Sequence, residues 1–201
     1  MKNRKTLSFV ELGLLVAVEI VMSVTPLGYL NLGFIAASLL TIPVAVGAIL
    51  LGTGASTFLG FIFGISSFIR GFSSTAPMTI AMYAASIPAS FAVAVISRVF
   101  MGLCTGLIVK IVRRIKKNSI ADNIAGGLSA PLLNTVFYMG LLMLFFYHSE
   151  YIQSLIETTG VRNPVLLIGI MVGTQALIEA AACCVISIAV SKALQKALHR
   201  E

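Results

Sequence analysis

The chain has 201 residues, of which 58% are hydrophobic and only 10% are charged. A soluble globular domain is about half apolar and about a quarter charged, so this composition excludes an ordinary soluble fold and predicts a single integral membrane domain over residues 1–201. The net charge of +7 does not indicate a nucleic-acid partner, because the Lys and Arg residues cluster beside apolar runs, as they do in cytoplasmic loops of membrane proteins.

Apolar runs long enough to cross, or nearly cross, a bilayer predict an all-α fold of six transmembrane helices. The runs cover residues 7–23, 34–51, 54–69, 95–112, 124–147 and 164–190. Six crossings put both termini on one side, where eleven of the fourteen Lys and Arg residues then lie (three at the amino terminus, five in residues 110–117 and three after residue 191). This excess of positive charge predicts that both termini are cytoplasmic.

The first run has basic residues before an apolar stretch and so looks like a secretion signal. Glu11 and Glu19 interrupt its apolar core, however, and no A-x-A-like cleavage site follows, so a retained span is predicted. Gly13 and Ala17 in this span form a small-x-x-x-small pair, which lets two helix backbones approach closely. Packing inside the chain and docking of a partner protein both fit this pair, and the sequence does not separate them.

The second and third runs are joined by LGTGAS, residues 51–56, in which Gly52 and Gly54 permit a tight turn. Pro43 is expected to kink or interrupt the second span.

Residues 70–94 are apolar enough to suggest a seventh span. A seventh crossing would leave one or two residues for the return at Arg98 and would move the later basic clusters to the other side. This segment, which contains Pro77 and Pro88, is therefore predicted to form a long, partly helical outer loop between helices 3 and 4. An apolar outer loop indicates a lid or a wall over a pocket.

Motifs for catalysis and for metal binding are missing from the sequence. The stretch GTGASTFLG lacks the Lys of a phosphate-binding loop, and neither H-E-x-x-H nor G-x-S-x-G occurs. Cys104, Cys183 and Cys184 lie in apolar runs without His partners, which is typical of small apolar residues in helices. We therefore expect no enzyme activity, no cofactor and no metal in this chain.

Ionisable and amide side chains within the spans are the candidate site residues, because polar groups at that depth usually face a bundle interior or a cavity. Arg98, where the fourth span opens, can hold a carboxylate through two parallel hydrogen bonds, or it can snorkel to headgroups or pair with Glu19. In the fifth span Asn134 and Thr135 lie one turn before Tyr138, and this group can line a polar spot in an apolar pocket or hydrogen-bond between helices.

The sixth span adds Gln175 and Glu179, which share a helix face. These two residues can contact a ligand, or they can pair with Arg98 or hydrogen-bond to a neighbouring helix. Tyr83 in the outer loop is a further candidate for a ligand contact.

Several of these stretches together resemble the substrate-binding S components of energy-coupling factor (ECF) transporters, the bacterial vitamin importers. The stretches are the small-residue first span, LTIPVAVGAILLG with FLGFIFGISSF, the long third loop, SRVFMGLCTGLIVKIVRR and LLNTVFYMG. Within that family the chain is most similar to the pantothenate type, through Arg98, the Asn-Thr pair and the stretch QALIE. The first-span motif usually has alanine at both ends, whereas here it has Gly13 and Ala17.

The resemblance implies a six-helix S component of the bacterial cell membrane that binds a vitamin and docks on a shared module. That module has a membrane scaffold and two ATP-hydrolysing subunits, and the S component topples in the membrane to deliver its substrate. For pantothenate, Arg98 would take the carboxylate and Asn134, Tyr138 and Gln175 would serve the amide and hydroxyls. The third loop would close over the ligand.

Other functions are open at this point. The chain has no Trp to stack an aromatic ligand, which disfavours riboflavin and folate but leaves them, and a pyrimidine precursor, as alternatives. A small intramembrane enzyme is disfavoured by the missing catalytic pairs. In a membrane scaffold without a ligand, Arg98, Asn134 and Glu179 would only pair with one another.

Overall fold

The computed structural model describes residues 4–25, 28–32, 35–116, 119–161 and 163–197. In chain order its elements are α1 (Arg4–Val24), β1 (Tyr29–Leu32), β2 (Ile35–Ser38), α2 (Thr41–Leu50), α3 (Thr53–Gly71), α4 (Pro77–Ala85), α5 (Ile87–Phe91), a π-helical turn (Ala92–Ile96), α6 (Ser97–Lys116), α7 (Ser119–Phe146), α8 (Glu150–Thr159) and α9 (Pro164–Ala197).

Helices make up nearly all of this architecture, as predicted. By length and composition, four helical stretches of the described chain can cross a membrane: Thr6–Val24, Ile87–Ile115, Ile120–Phe146 and Ala176–Leu194. α2 is apolar but has only 10 residues, and α3 has 19 residues but is rich in Gly, Ser and Thr. The count of six crossings therefore stays a prediction.

A short β-hairpin occupies the start of the second apolar run, where the sequence predicted a helix. β1 and β2 are antiparallel, with Tyr29 opposite Ser38 and Leu32 opposite Ile35. The helix begins only at Thr41, so Pro43 lies in its first turn, where the missing N–H has no intrahelical partner to lose. Pro43 thus marks the start of α2 and does not kink it. The tight turn predicted after α2 is present, with Gly52 at φ +92°.

The predicted outer loop, residues 70–94, is more helical than expected. α4 fills its middle, and the fourth long helix begins at Ile87 instead of residue 95, running through the π-helical turn into α6. Pro77 and Pro88 each lie in the first turn of a helix, the position that proline tolerates best, and the Ser86 hydroxyl accepts a hydrogen bond from the Ala89 N–H. The prolines therefore start helices here.

A further helix that the sequence did not predict, α8, lies between the fifth and sixth runs. Ser149 caps its first turn by accepting from the Ile152 N–H, and Gly160 ends it at φ +69°. Ile152 and Ile156, one turn apart, are its buried side chains. They join an apolar cluster with side chains of α4, α7 and α9, including Met82, Leu142 and Leu167.

α2 lies at the centre of the bundle. It contacts α1, α3, α6, α7 and α9, and every residue from Thr41 to Ile49 is buried. A helix that is apolar on all sides must be surrounded by other elements, which explains why this short segment carries almost no polar side chain. The main core forms around it from residues such as Val44, Leu59 and Met101.

Glycines let α3 and α6 pack more closely than residues with a Cβ atom would allow. A Cβ atom added at Gly60 would lie 2.3 Å from the Arg98 carbonyl oxygen, and one at Gly102 would lie 2.2 Å from the Ser56 carbonyl oxygen. Small residues on both helices permit this approach, as is common in membrane bundles. The contact at Gly60 fixes the backbone of Arg98 against α3.

The two ends of the bundle differ in charge. One end, here the basic end, carries Lys110, Arg113 and Arg114 at the close of α6. There Arg113 Nε contacts Asp122 Oδ2 of α7 at 2.7 Å and its Nη2 donates to the Ile49 carbonyl of α2 at 2.7 Å. The opposite end, here the cavity end, carries α4 and α8.

Candidate functional site

A cavity of about 640 Å³ lies at the cavity end, between α3, α4, the turn before α6, and α7. Most of its wall comes from residues 70–94. Hydroxyl side chains are common on this wall: Ser67, Ser73, Ser74, Thr75, Thr79 and Ser90. Two tyrosines, Tyr83 and Tyr138, and two arginines, Arg70 and Arg98, complete its polar lining. The volume suits a small organic molecule.

Arg98 is buried, with 8% of its surface exposed, and yet it lines the cavity. Its Nη1 donates to the Val93 carbonyl and to the Ser97 hydroxyl, each at 3.2 Å. The Ser97 hydroxyl donates to the same carbonyl. Val93 lies in the π-helical turn, and such turns occur often at functional sites. The side chain therefore points back along its own helix toward the cavity end, which is the usual direction of long side chains on a helix.

Two aromatic rings hold the guanidinium of Arg98. Its central carbon lies 4.3 Å from the ring centroid of Tyr138 and 5.0 Å from that of Phe63. Contacts of this kind contribute about 0.5–2 kcal/mol each, more when water is excluded. α3, α6 and α7 thus position one cation together.

Tyr83 fastens α4 to α3. Its hydroxyl donates to the Phe68 carbonyl at 2.7 Å, and its ring packs on Phe68 and Phe72 with centroid distances of 5.6 and 5.0 Å. A Cβ atom at Gly71 would collide with this ring, at 2.1 Å from the hydroxyl oxygen. Burial raises the pKa of Tyr83 to about 12, Tyr138 adds to this rise and Arg98 opposes it. The phenol is therefore a hydrogen-bond donor at physiological pH.

The candidates of the fifth span lie at different places. Tyr138 lines the cavity, whereas Asn134 and Thr135, one turn closer to the basic end, are not among its lining residues. The Thr135 hydroxyl donates to the Pro131 carbonyl at 3.2 Å within its own helix. Asn134 Oδ1 is buried and has no hydrogen-bond partner among the residues described.

Glu179 on α9 is buried near Arg98. It lies close enough to Arg98 for an electrostatic interaction. Its Oε1 has no hydrogen-bond partner in the described part of the chain. Glu19, the alternative partner of Arg98, is fully buried, and neither of its carboxylate oxygens is hydrogen-bonded within the described residues. The side chain of Gln175 lies outside the described part of the structure.

Arg70 and the hydroxyl residues were not predicted as site residues. Arg70 follows the third apolar run, where a cation is ordinary, so no sequence pattern marks it as a site residue. The run SSTAPMT, residues 73–79, carries the signal that was available, since three adjacent hydroxyl residues follow Arg70 there. Arg70 and Arg98 together give the cavity wall two positive charges, and no acidic side chain is among its described lining residues. This arrangement favours an anionic ligand with hydroxyl or amide groups.

The predicted docking pair lies on an open face of α1. Gly13 and Ala17 are exposed, and a Cβ atom added at Gly13 would meet nothing within 4 Å. Phe9, Val10 and Leu14 on the same helix are exposed as well. Close packing inside the described chain thus does not account for the glycine.

Within the described residues, no group of three or more His, Cys, Asp or Glu side chains is placed to hold a metal ion. The cavity offers binding groups, namely two cations, two phenols and several hydroxyls. Their arrangement suits recognition of a small molecule.

Comparison with curated proteins gives no match. A family model described as the substrate-specific component of ECF transporters matches residues 7–191, nearly the whole chain. Members of this family are membrane transport proteins and are generally not enzymes, and membership implies a small vitamin-type substrate and an ECF module as partner. The fold, the apolar helices and the cavity agree with that assignment. The chain therefore belongs to the substrate-specific component family of ECF transporters.

Proposed function

We propose that this chain is the pantothenate-binding S component of an ECF importer. The observation that supports the proposal most directly is the buried guanidinium of Arg98, which is held over the Tyr138 ring and lines a cavity of about 640 Å³. A buried cation attracts an anion, and a ligand carboxylate can bind it through two charge-assisted hydrogen bonds.

The remaining groups of pantothenate find matching partners on the same wall. The ligand has one carboxylate, one amide and two hydroxyls, and the wall offers the hydroxyls of residues 73–79 as well as Tyr138. Tyr83 shapes the wall while its own hydroxyl is engaged with Phe68. Asn134, Thr135, Gln175 and Glu179 stay predicted ligand contacts, and a closer fit of the helices around a ligand would have to bring them to the cavity.

The exposed face of α1 supports docking on an ECF module. Gly13 and Ala17 would let a helix of the partner approach the α1 backbone closely. We propose that the module contributes a membrane scaffold subunit and two ATP-hydrolysing subunits, and that the basic end and both termini face the cytoplasm in a bacterial cell membrane. Replacing Gly13 with Leu should abolish copurification with the module while pantothenate binding is retained.

Titration calorimetry on the detergent-purified chain tests the substrate. Pantothenate, pantothenol (in which CH₂OH replaces the carboxylate), riboflavin, folate and a pyrimidine precursor form the ligand panel. The variants are Arg98→Gln and, as the matched control on the same helix, Arg114→Gln, since Arg114 is exposed at the basic end. A charge-assisted hydrogen bond contributes about 1.5–3 kcal/mol, so Arg98→Gln should weaken pantothenate binding about 10- to 150-fold.

The comparison between acid and alcohol locates the carboxylate. The natural chain should prefer pantothenate over pantothenol, and Arg98→Gln should lose that preference while Arg114→Gln keeps it. If the natural chain binds pantothenate and Arg98→Gln retains the preference, the carboxylate lies elsewhere. If another vitamin binds in its place, the substrate assignment is wrong within the same family. A folded chain that binds no member of the panel would favour a membrane scaffold without a ligand.

A further inference from the structure

A second concave surface lies on the side of the bundle, between α1 and α3 near the cavity end. It is a groove of about 880 Å³. Its apolar walls are formed by Ile20, Val24, Ile62, Ile65 and Ile69. We propose that this groove binds one anionic phospholipid, with an acyl chain between the two helices and the phosphate on Arg70.

Polarity changes along the groove in the order that a phospholipid requires. On α3, Ile62 and Ile65 come first, and Arg70 lies about 12 Å from Ile62 and about 8 Å from Ile65 along the helix axis. Ser23, Thr25 and Ser73 line the groove with Arg70 at the same end. In a bilayer the acyl chains extend toward the midplane and the phosphates lie at the surface. An amphiphile with its charge at the cavity end therefore matches the groove along its full length.

The charge at the polar end selects an anionic headgroup. Arg70 Nη1 donates to the Ser23 carbonyl at 2.9 Å, which ties α3 to α1 and holds the guanidinium across the top of the groove. A planar guanidinium matches phosphate geometry and pairs with it through parallel hydrogen bonds. No acidic side chain is among the described lining residues. An anionic phospholipid is therefore attracted to Arg70 more strongly than a zwitterionic phospholipid is.

The rim of the groove is open to the membrane. Val24 is 78% exposed, Ile69 64% and Ile20 47%. In a membrane protein such side chains must be covered by lipid or by another helix. A phospholipid brings an acyl chain for the apolar walls and a phosphate opposite in charge to Arg70, both in one molecule. The complementary charge thus decides in favour of the lipid.

Native mass spectrometry of the full-length chain in detergent tests the proposal, with phosphatidylglycerol and phosphatidylcholine of equal chain length as probes. One phosphatidylglycerol should bind per chain in preference to phosphatidylcholine. Arg70→Gln should reduce its binding about tenfold, as expected for loss of one charge-assisted contact. Ile65→Trp, which fills the groove and keeps the charge, should abolish binding. Arg114→Gln and Ile111→Trp, at exposed positions of α6, are the matched controls and should bind as the natural chain does.

The outcomes separate the lipid from other occupants. Equal binding of the two lipids, or full binding by Arg70→Gln or Ile65→Trp, would overturn the proposal. Competition by glycerol 3-phosphate without an acyl chain would show a phosphate site and would contradict the lipid. A dimer that lipid does not dissociate would assign the groove to a second copy. Melting temperatures of the variants show that they are folded, and should Arg70→Gln fail to fold, Ile65→Trp decides alone.

Discussion

Replacing Gly60 with Ala tests whether the close packing of α3 on α6 positions the candidate site. The added Cβ atom would lie 2.3 Å from the Arg98 carbonyl oxygen and 3.1 Å from its carbonyl carbon. Ordinary contacts at such atoms begin near 3.4 Å, so the helices must separate by about 1 Å. Overpacking of this kind costs about 1–3 kcal/mol, and the better helix propensity of Ala offsets about 0.5–1 kcal/mol of that.

The same substitution at Gly54 is the matched control on α3. A Cβ atom there meets nothing within 4 Å, so Gly54→Ala should stabilise the chain by about 0.5–1 kcal/mol. Gly60→Ala should be about 2 kcal/mol less stable than this control, given the overpacking estimate. It should also bind pantothenate more weakly, because the Arg98 backbone moves with the helix.

Unfolding in detergent, followed by circular dichroism at 222 nm against denaturant, measures the stability difference. Titration calorimetry on the two variants measures binding. If Gly60→Ala is as stable as Gly54→Ala, the two helices are not in the close contact described here. If it is less stable but binds pantothenate unchanged, the packing stabilises the bundle without positioning Arg98.

Three further predictions concern the ends of the bundle. The pKa of Tyr83 is raised to about 12 from its usual 10, so the folded chain holds the phenol proton more tightly than the unfolded chain does. The free energy of unfolding is therefore unaffected by this group below pH 10 and falls between about pH 10 and 12. Tyr83→Phe should lack this part of the pH dependence of the melting temperature. Gly71→Ala should displace the Tyr83 ring and release α4, seen as faster hydrogen exchange of residues 77–85 at fixed pH. Arg113→Met should destabilise the chain by about 1 kcal/mol, because Asp122 is left buried while the half-exposed arginine is screened by water.

A different result would contradict each of these three predictions. A melting temperature with the same alkaline dependence in Tyr83→Phe would assign that titration to another group. Unchanged exchange in Gly71→Ala would mean that α4 is held without Tyr83. For Arg113, the matched control is Arg114→Met at the neighbouring exposed position, and equal stability of the two Met variants would contradict the contact with Asp122.

The parts of the fold that the sequence predicted are those in which apolar composition extends over many residues. α7 ends and α9 starts within one residue of the predicted limits, whereas α7 starts five residues earlier and α9 ends seven residues later than predicted. The long apolar runs were predictable because a single segment in a bilayer satisfies its backbone hydrogen bonds as a helix. The hairpin and α8 were missed for the opposite reason. β1 and β2 have four residues each, and α8 shows its pattern in only two buried isoleucines, too few for periodicity to distinguish a strand or helix from a loop.

The candidate site was predictable where a charge interrupts an apolar run, as at Arg98. Arg70 was not predicted as a site residue because a cation at the end of a span is the ordinary case. Asn134 shares a helix face with Tyr138, yet only Tyr138 lines the cavity. A shared face shows that two side chains point to the same side of the helix, but it does not show how far the cavity extends along the bundle axis. Serines and threonines of the wall are common residues, and only the packing of α4 over α3 brings them together.

The long helix that contains Arg98 also determines where a ligand meets the protein. Its apolar stretch from Ile87 to Ile115 has 29 residues, a length of about 43 Å, whereas the hydrocarbon core of a bilayer is about 30 Å thick. Even at a tilt of about 40°, near the upper limit for such helices, it is longer than the core. If Arg113 lies at one headgroup layer and the helix is close to upright, Ser90, about 34 Å away along the axis, reaches the opposite layer, and Ala94, about 28 Å away, lies just inside the core. Ser90 of the cavity wall would then lie in that layer, so a polar solute would reach the cavity from the aqueous phase without passing through lipid.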